Sequence, residues 1–314
     1  MLQRLTAAII IVVATAAVAF WYVTMPRPLD AAQLAQYYPG DAKKGERIFW
    51  LAGCSSCHAR PKATGEAQLR LAGGLELKTA FGTFVAPNIS PDKKDGIGNW
   101  TIADFANALK RGIAPDGSQL YPAFPYASYS RMKPQDISDL FAFLKTLPPV
   151  AGKTQPHRVP FPFDIRRGIG LWQLLYLNDK PYVHLPENAS AQAKAGQYLV
   201  EGAGHCGECH TSRTFLDGMK PDEWLAGAPN PSGKGAIPNI TPADAGIGSW
   251  SQKDIAYFLE SGFTPDFDSV GGEMVDIQQN IAKLPASDRD AIAAYLKAIP
   301  PLPTAYTDTK GSGH

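Results

Sequence analysis

Cys54-Ser55-Ser56-Cys57-His58 and Cys206-Gly207-Glu208-Cys209-His210 are two copies of the pattern C-x-x-C-H, and they use all four cysteines of the 314-residue chain. The spacing has a chemical reason. Two thiols three residues apart can form thioether bonds to the two vinyl groups of one haem, and the adjacent histidine then ligates the iron. Other readings of a C-x-x-C pair are weaker here. A structural zinc site would gather the four cysteines into one tetrad, but the two pairs are offset by 152 residues. A redox dithiol would follow a strand in a βαβ pattern, and the sequence shows none. Four cysteines in a chain of this length are too few for a disulfide framework. The motifs therefore predict two covalently bound haem c groups, held by Cys54 and Cys57 and by Cys206 and Cys209, with His58 and His210 as iron ligands.

The motifs belong to a larger internal repeat. Ala86-Pro87-Asn88-Ile89-Ser90-Pro91 returns as Ile237-Pro238-Asn239-Ile240-Thr241-Pro242, and Gly96-Ile97-Gly98-Asn99-Trp100 returns as Gly246-Ile247-Gly248-Ser249-Trp250. Leu144-Lys145-Thr146-Leu147-Pro148-Pro149 returns as Leu296-Lys297-Ala298-Ile299-Pro300-Pro301, so the offset drifts only between 150 and 152. One module occurs twice, at 41–150 and 190–303. In each, a helix leads to the haem motif, Ala42 to Leu51 and Ala191 to Glu201, with Gly45 and Gly196 at matching places where another helix can cross closely. Thr101 with Asp104 and Ser251 with Asp254 read as capping boxes, and Gly112 and Gly262 as C-terminal stops. Last helices are expected from Pro134 to Leu147 and from Ala286 to Ile299, with apolar stripes such as Ile137, Leu140, Phe141 and Leu144. No segment gives a strand pattern. The fold class is all-α.

Net charge is +1, which gives no electrostatic reason to expect a nucleic-acid partner. Thr6 to Val23 holds 18 uncharged residues between Arg4 and Arg27, with Phe20, Trp21 and Tyr22 at the outer end. That length suffices to cross a bilayer core, and the aromatic rings suit the interface. Residues 1–25 are read as a transmembrane anchor, placing the remainder outside a bacterial inner membrane, in the periplasm. A signal peptide cleaved after Ala17-Val18-Ala19 is the other reading. Residues 26–40 read as a tether, 151–189 as a linker with a short helix at Ile169 to Leu177, and 304–314 as a flexible tail.

The second axial ligand separates electron transfer from small-molecule chemistry. Met274 lies ahead of the last helix of the second module, and Met132 ahead of that of the first. Both are expected to ligate iron. The copies differ here: on the offset of 150 Met274 pairs with Phe124, whereas on the offset of 152 Met132 pairs with Leu284. Should Met132 not reach the iron, the first haem is five-coordinate or takes His157 or His184. Trp100 and Trp250 are expected at the haem edges. Pro87 and Pro238 are candidates to offer their carbonyls to the Nδ1–H of His58 and His210.

With Leu120-Tyr121-Pro122-Ala123-Phe124-Pro125-Tyr126 and Gly271-Gly272-Glu273-Met274 added to these motifs, the chain resembles the dihaem cytochromes c of the alcohol/gluconate dehydrogenase cytochrome-subunit type over 41–303. The resemblance implies two tandem class I cytochrome c domains. It also implies a redox partner: a periplasmic dehydrogenase as donor, with quinone, a cytochrome or a terminal oxidase as acceptor. Family members can carry Met where this chain has Phe124, and usually carry three haem domains where this chain has two. The expected function is electron relay without an enzymatic reaction of its own. The alternatives are a dihaem peroxidase-like enzyme with an open first haem, or a haem subunit of a terminal oxidase.

Overall fold

In both repeats the chain must bring a first and a last helix together closely enough to build a core from few residues. It does so at glycine. Our computed structural model describes residues 1–230 and 235–306. Helix α1 spans Leu2–Val23, α2 Ala31–Leu34, α3 Ala42–Leu51 and α4 Cys54–His58. The first repeat continues through strands β1 (Glu76–Thr79) and β2 (Gly82–Val85) to α5 (Ile102–Arg111), α6 (Tyr126–Tyr129) and α7 (Pro134–Thr146). Helix α8 (Ile169–Tyr176) lies between the repeats. The second repeat comprises α9 (Ala191–Glu201), α10 (Gly207–His210), β3 (Ala228–Pro229), β4 (Ala236–Ile237), α11 (Gln252–Ser261), α12 (Met274–Ile281) and α13 (Ala286–Ala298).

Helices α3 and α7 cross at Gly45, where a Cβ would stand 1.9 Å from the Asp139 carbonyl oxygen. Helices α9 and α13 cross in the same way at Gly196, 1.8 Å from that of Ala291. This close approach lets Ile48, Phe49 and Leu51 bury against Ile137, Leu140 and Leu144, and Leu199 and Val200 against Ile292, Tyr295 and Leu296. Each such side chain is worth about 1.5–3 kcal/mol when fully buried. The capping boxes form as anticipated: Thr101 and Asp104 bond reciprocally at the start of α5, and Ser251 and Asp254 at the start of α11. Gly112 and Gly262 end these helices in the left-handed conformation, at φ of 58° and 80°.

Three features depart from the sequence reading. First, strands exist. β1 and β2 form an antiparallel ribbon with Glu76 opposite Val85 and Thr79 opposite Gly82, and β3 pairs with β4. These strands have four residues or fewer, too short for an alternating pattern to show. Second, the segments ahead of α7 and α13, for which the sequence reading has no helix, contain the short helices α6 and α12. Third, residues 26–40 are not a free tether. Leu29 is buried, its amide donates to Asn107 Oδ1 at 2.7 Å, and Gly40 is pressed against the carbonyl of Ser138. The linker is likewise docked: Trp172 Nε1 donates to the Leu216 carbonyl at 3.0 Å, and Arg158 pairs with Thr83 beside β2.

Helix α1 has 22 residues and no buried side chain, and an 18-residue window within it has a mean hydropathy of 2.2. Its outer end meets the linker. Gly170 abuts Thr24, and Arg167 donates to the Trp21 carbonyl at 2.6 Å and lies 4.0 Å over the Trp21 ring.

A Cβ at the α3–α7 crossing would force backbones apart. Gly45→Ala should cost about 3 kcal/mol, read as a lowered denaturation midpoint. The exposed Gly65, with open space around its Cβ position but φ of 57°, should lose no more than about 1 kcal/mol on the same change.

Candidate functional site

A single turn of helix brings the chemistry of each motif together. Gly53, at φ of 56°, turns the chain out of α3 so that α4 carries Cys54, Cys57 and His58 on adjacent positions. In the second repeat His205 takes the equivalent left-handed conformation, at φ of 39°, before Cys206, Cys209 and His210. His205 is held there by its Nε2 contact with the Ala52 carbonyl at 3.2 Å.

Both histidines are oriented by the loops named in the sequence. His58 Nδ1 lies 2.8 Å from the Pro87 carbonyl, and His210 Nδ1 lies 2.8 Å from that of Pro238. A carbonyl oxygen only accepts, so Nδ1 carries the proton and Nε2 keeps its lone pair. Burial pushes both imidazoles below their ordinary pKa, against the opposing pull of those carbonyls, which keeps them neutral. A neutral imidazole with its proton fixed on Nδ1 is the form that ligates iron through Nε2.

The sequence reading missed what holds those carbonyls in place. Asn88 Nδ2 donates to Val150 O at 2.7 Å and Gly152 O at 3.0 Å, while its Oδ1 accepts from the Ser90 amide. Asn239 does the same, donating to Leu302 O at 2.9 Å and accepting from Thr241. Each Pro-Asn loop is thereby tied to the segment after the last helix. The signal was present, since both Asn residues recur in the repeat.

Burial pushes Cys54 and Cys206 up to about 12, the opposite of an activated thiolate. None of the four is in a disulfide, and no cluster of three or more His, Cys, Asp or Glu that could hold a metal ion occurs among the described residues.

Each motif is covered by a short helix of the other repeat. Burial above all pushes the Cys209 thiol up to about 11. Ser55 donates to Asn280 Oδ1 at 3.4 Å, and Asn280 Nδ2 donates to Ser56 Oγ at 2.8 Å, so α12 is seated on the first motif. Helix α6 is seated on the second: Ser128 donates to Glu208 Oε1 at 2.7 Å, and the Tyr129 ring packs on His205 with centroids 5.7 Å apart. Burial works to raise the Glu208 carboxyl, but Arg213 at 2.7 Å and Ser128 together hold it below the usual range.

The remaining expected residues are placed as follows. Trp100 and Trp250 are half-buried at equivalent positions just before α5 and α11. Met274 is half-buried at the head of α12, and Phe124 is half-buried just before α6. Met132 is enclosed by protein at 1 % exposure, and Leu284, its counterpart, at 4 %.

These features fit two haem c groups: paired thiols on one turn and a neutral, oriented imidazole in each copy. Comparison with known proteins agrees. The Cytochrome c family matches residues 42–148. A diheme cytochrome c-type protein of Cereibacter sphaeroides is 50% identical over 302 residues, covering 96% of this chain and all of that protein. The chain belongs to the dihaem cytochromes c. It carries covalently bound haem c and is an electron carrier. The fructose dehydrogenase cytochrome subunit of Gluconobacter japonicus is 38% identical over 87% of the chain. The gluconate 2-dehydrogenase cytochrome c subunit of Pantoea cypripedii is 32% identical over 86%. The chain spans only 55% and 63% of those two subunits.

Asn239→Ala frees the Pro238 loop and weakens the hydrogen bond that makes His210 a stronger donor. The expected results are a loss of about 1–3 kcal/mol in stability and a rise in the potential of the second haem. Denaturation and spectroelectrochemical titration measure the two.

Proposed function

We propose that this cytochrome is a membrane-anchored periplasmic relay, in which two tandem class I cytochrome c domains, 41–150 and 190–303, pass single electrons from a dehydrogenase towards quinone, another cytochrome or a terminal oxidase. The observation that carries this reading is that both attachment turns lie at the boundary between the repeats, α12 seated on α4 and α6 on the second motif. Groups attached at these turns lie near one another, and short separation is what a relay requires.

Each haem supplies a one-electron Fe(III)/Fe(II) couple. The protein's part is attachment, ligation and orientation. Cys54 and Cys57 attach the first haem, and Cys206 and Cys209 the second. His58 and His210 present Nε2 to the irons, with Pro87 and Pro238 fixing their tautomers. Met274, at the head of α12, would supply a thioether to the second iron; such a soft, neutral ligand favours the reduced state. Trp100 and Trp250 wall the haem edges.

Helix α1 supports the anchor. At 22 residues it is about 33 Å long, matching a bilayer core of about 30 Å. On the linker that contacts α1 through Arg167 and Gly170, Phe161, Phe163, Leu174 and Leu175 are exposed. Relatives named as dehydrogenase cytochrome subunits favour a dehydrogenase as donor.

The test is rapid-mixing reduction of the full chain in detergent by a membrane dehydrogenase, followed at both haems. Reduction of both in sequence supports the relay; reduction of one alone rejects it. Met274→Ala should abolish the near-infrared sulfur-to-iron band of the second haem and lower its potential. An alkaline carbonate wash of membranes should leave the full chain bound.

A further inference from the structure

The two repeats match at nearly every functional position, so the place where they differ is informative. In the second repeat, α12 begins with Met274 and runs to a turn ending at Leu284, immediately before α13. In the first, Phe124 precedes α6, and the turn ends at Met132, immediately before α7. The offset of 150 at Gly112 and Gly262 pairs Phe124 with Met274, and two structural markers pair Met132 with Leu284. Lys110 Nζ caps the carbonyls of Ser130 and Met132, while Arg289 Nη1 caps those of Ala282 and Leu284. The exposures agree, with Met132 and Leu284 both fully buried, and Phe124 and Met274 both half-buried. Met132 is thus the counterpart of a core leucine. Its Cγ lies 4.0 Å from where a Cβ on Gly202 would stand, so the side chain packs at the boundary with the second repeat.

Phe124 holds the position from which the second repeat offers sulfur, and a phenyl ring has no lone pair to give. Nor do the histidines replace it. His157 Nδ1 accepts from the Val85 amide at 3.0 Å, so its proton sits on Nε2 and that nitrogen cannot ligate. Val85 is, moreover, two residues from Pro87, on the His58 side. His184 is exposed beside α9, where the neighbouring Tyr182 and Val183 amides are held by Glu201. His205 is engaged at the Ala52 carbonyl.

We propose that the first haem has no methionine ligand, and that its iron, on the side of Phe124, binds an exogenous small neutral ligand of the carbon monoxide or nitric oxide class. This rests on the haem assignments above and replaces Met132 as a ligand. Binding is a simple coordination step to ferrous iron, with no bond broken in the protein. A relay with one open iron also responds to such a molecule: ligation stabilises the ferrous state of the first haem and holds its electron.

The test uses the full chain in detergent, with carbon monoxide as probe. Haem content by the pyridine haemochrome method comes first; fewer than two haems per chain overturns the haem assignment itself, and with it this proposal. With two haems present, dithionite-reduced protein is expected to bind one carbon monoxide per chain, and the oxidised protein to show the sulfur-to-iron band of one haem. Met132→Leu should leave both readouts unchanged. Phe124→Met should abolish carbon monoxide binding and double the band. Absence of carbon monoxide binding in the unaltered chain, or loss of a sulfur-to-iron band in Met132→Leu, overturns the proposal even if Phe124→Met does not fold.

Discussion

Everything in each repeat hangs on a place where two helices touch backbone to backbone. At Gly45 on Asp139 and at Gly196 on Ala291 no side chain intervenes. The crossing pins the first and last helices of a repeat together and fixes the direction in which the first helix delivers the chain to the cysteine turn. Pro87 and Pro238 reach their histidines because Asn88 and Asn239 are anchored to the strand of chain that leaves the last helix. The imidazole orientation is thus transmitted, through one asparagine, from the same helix pair that carries the core.

The boundary between the repeats is as specific as either core. Arg47 pairs with Asp288 at 2.5 Å, Lys283 lies 3.3 Å over the Trp50 ring, and Tyr198 bonds both the Lys133 amide and Asp136. The exchange is reciprocal, since α6 and α12 each sit on the other repeat's motif. This reciprocity holds both attachment turns at the boundary between the repeats, which duplicated but separately tethered modules would not achieve.

Most of this architecture was legible in the residues. The main helices could be bounded because their caps are side-chain chemistry, as with Thr101, Asp104 and the closing Gly112. The glycine crossings could be anticipated because the repeat places Gly45 and Gly196 in register. What escaped was set by tertiary contact. Strands β1 and β2 offer one apolar cross-strand pair, Leu77 with Phe84, too little to read as a pattern. Residues 26–40 looked like a tether because their docking depends on Asn107, far along the chain. Met132 reads as a ligand from its spacing ahead of the last helix, which does not say which way a side chain points. The proposal of a packed thioether rests on its burial alongside the equivalent Leu284.

The covered turns also bear on biogenesis. Thioether formation requires each thiol to meet a porphyrin vinyl group while the chain around it is still open. In the finished molecule Asn280 closes over Ser55 and Ser56, and Ser128 closes over Glu208. Each attachment turn is thus covered by side chains of the other repeat, so the same contacts that join the halves stand over the places where the cofactors attach.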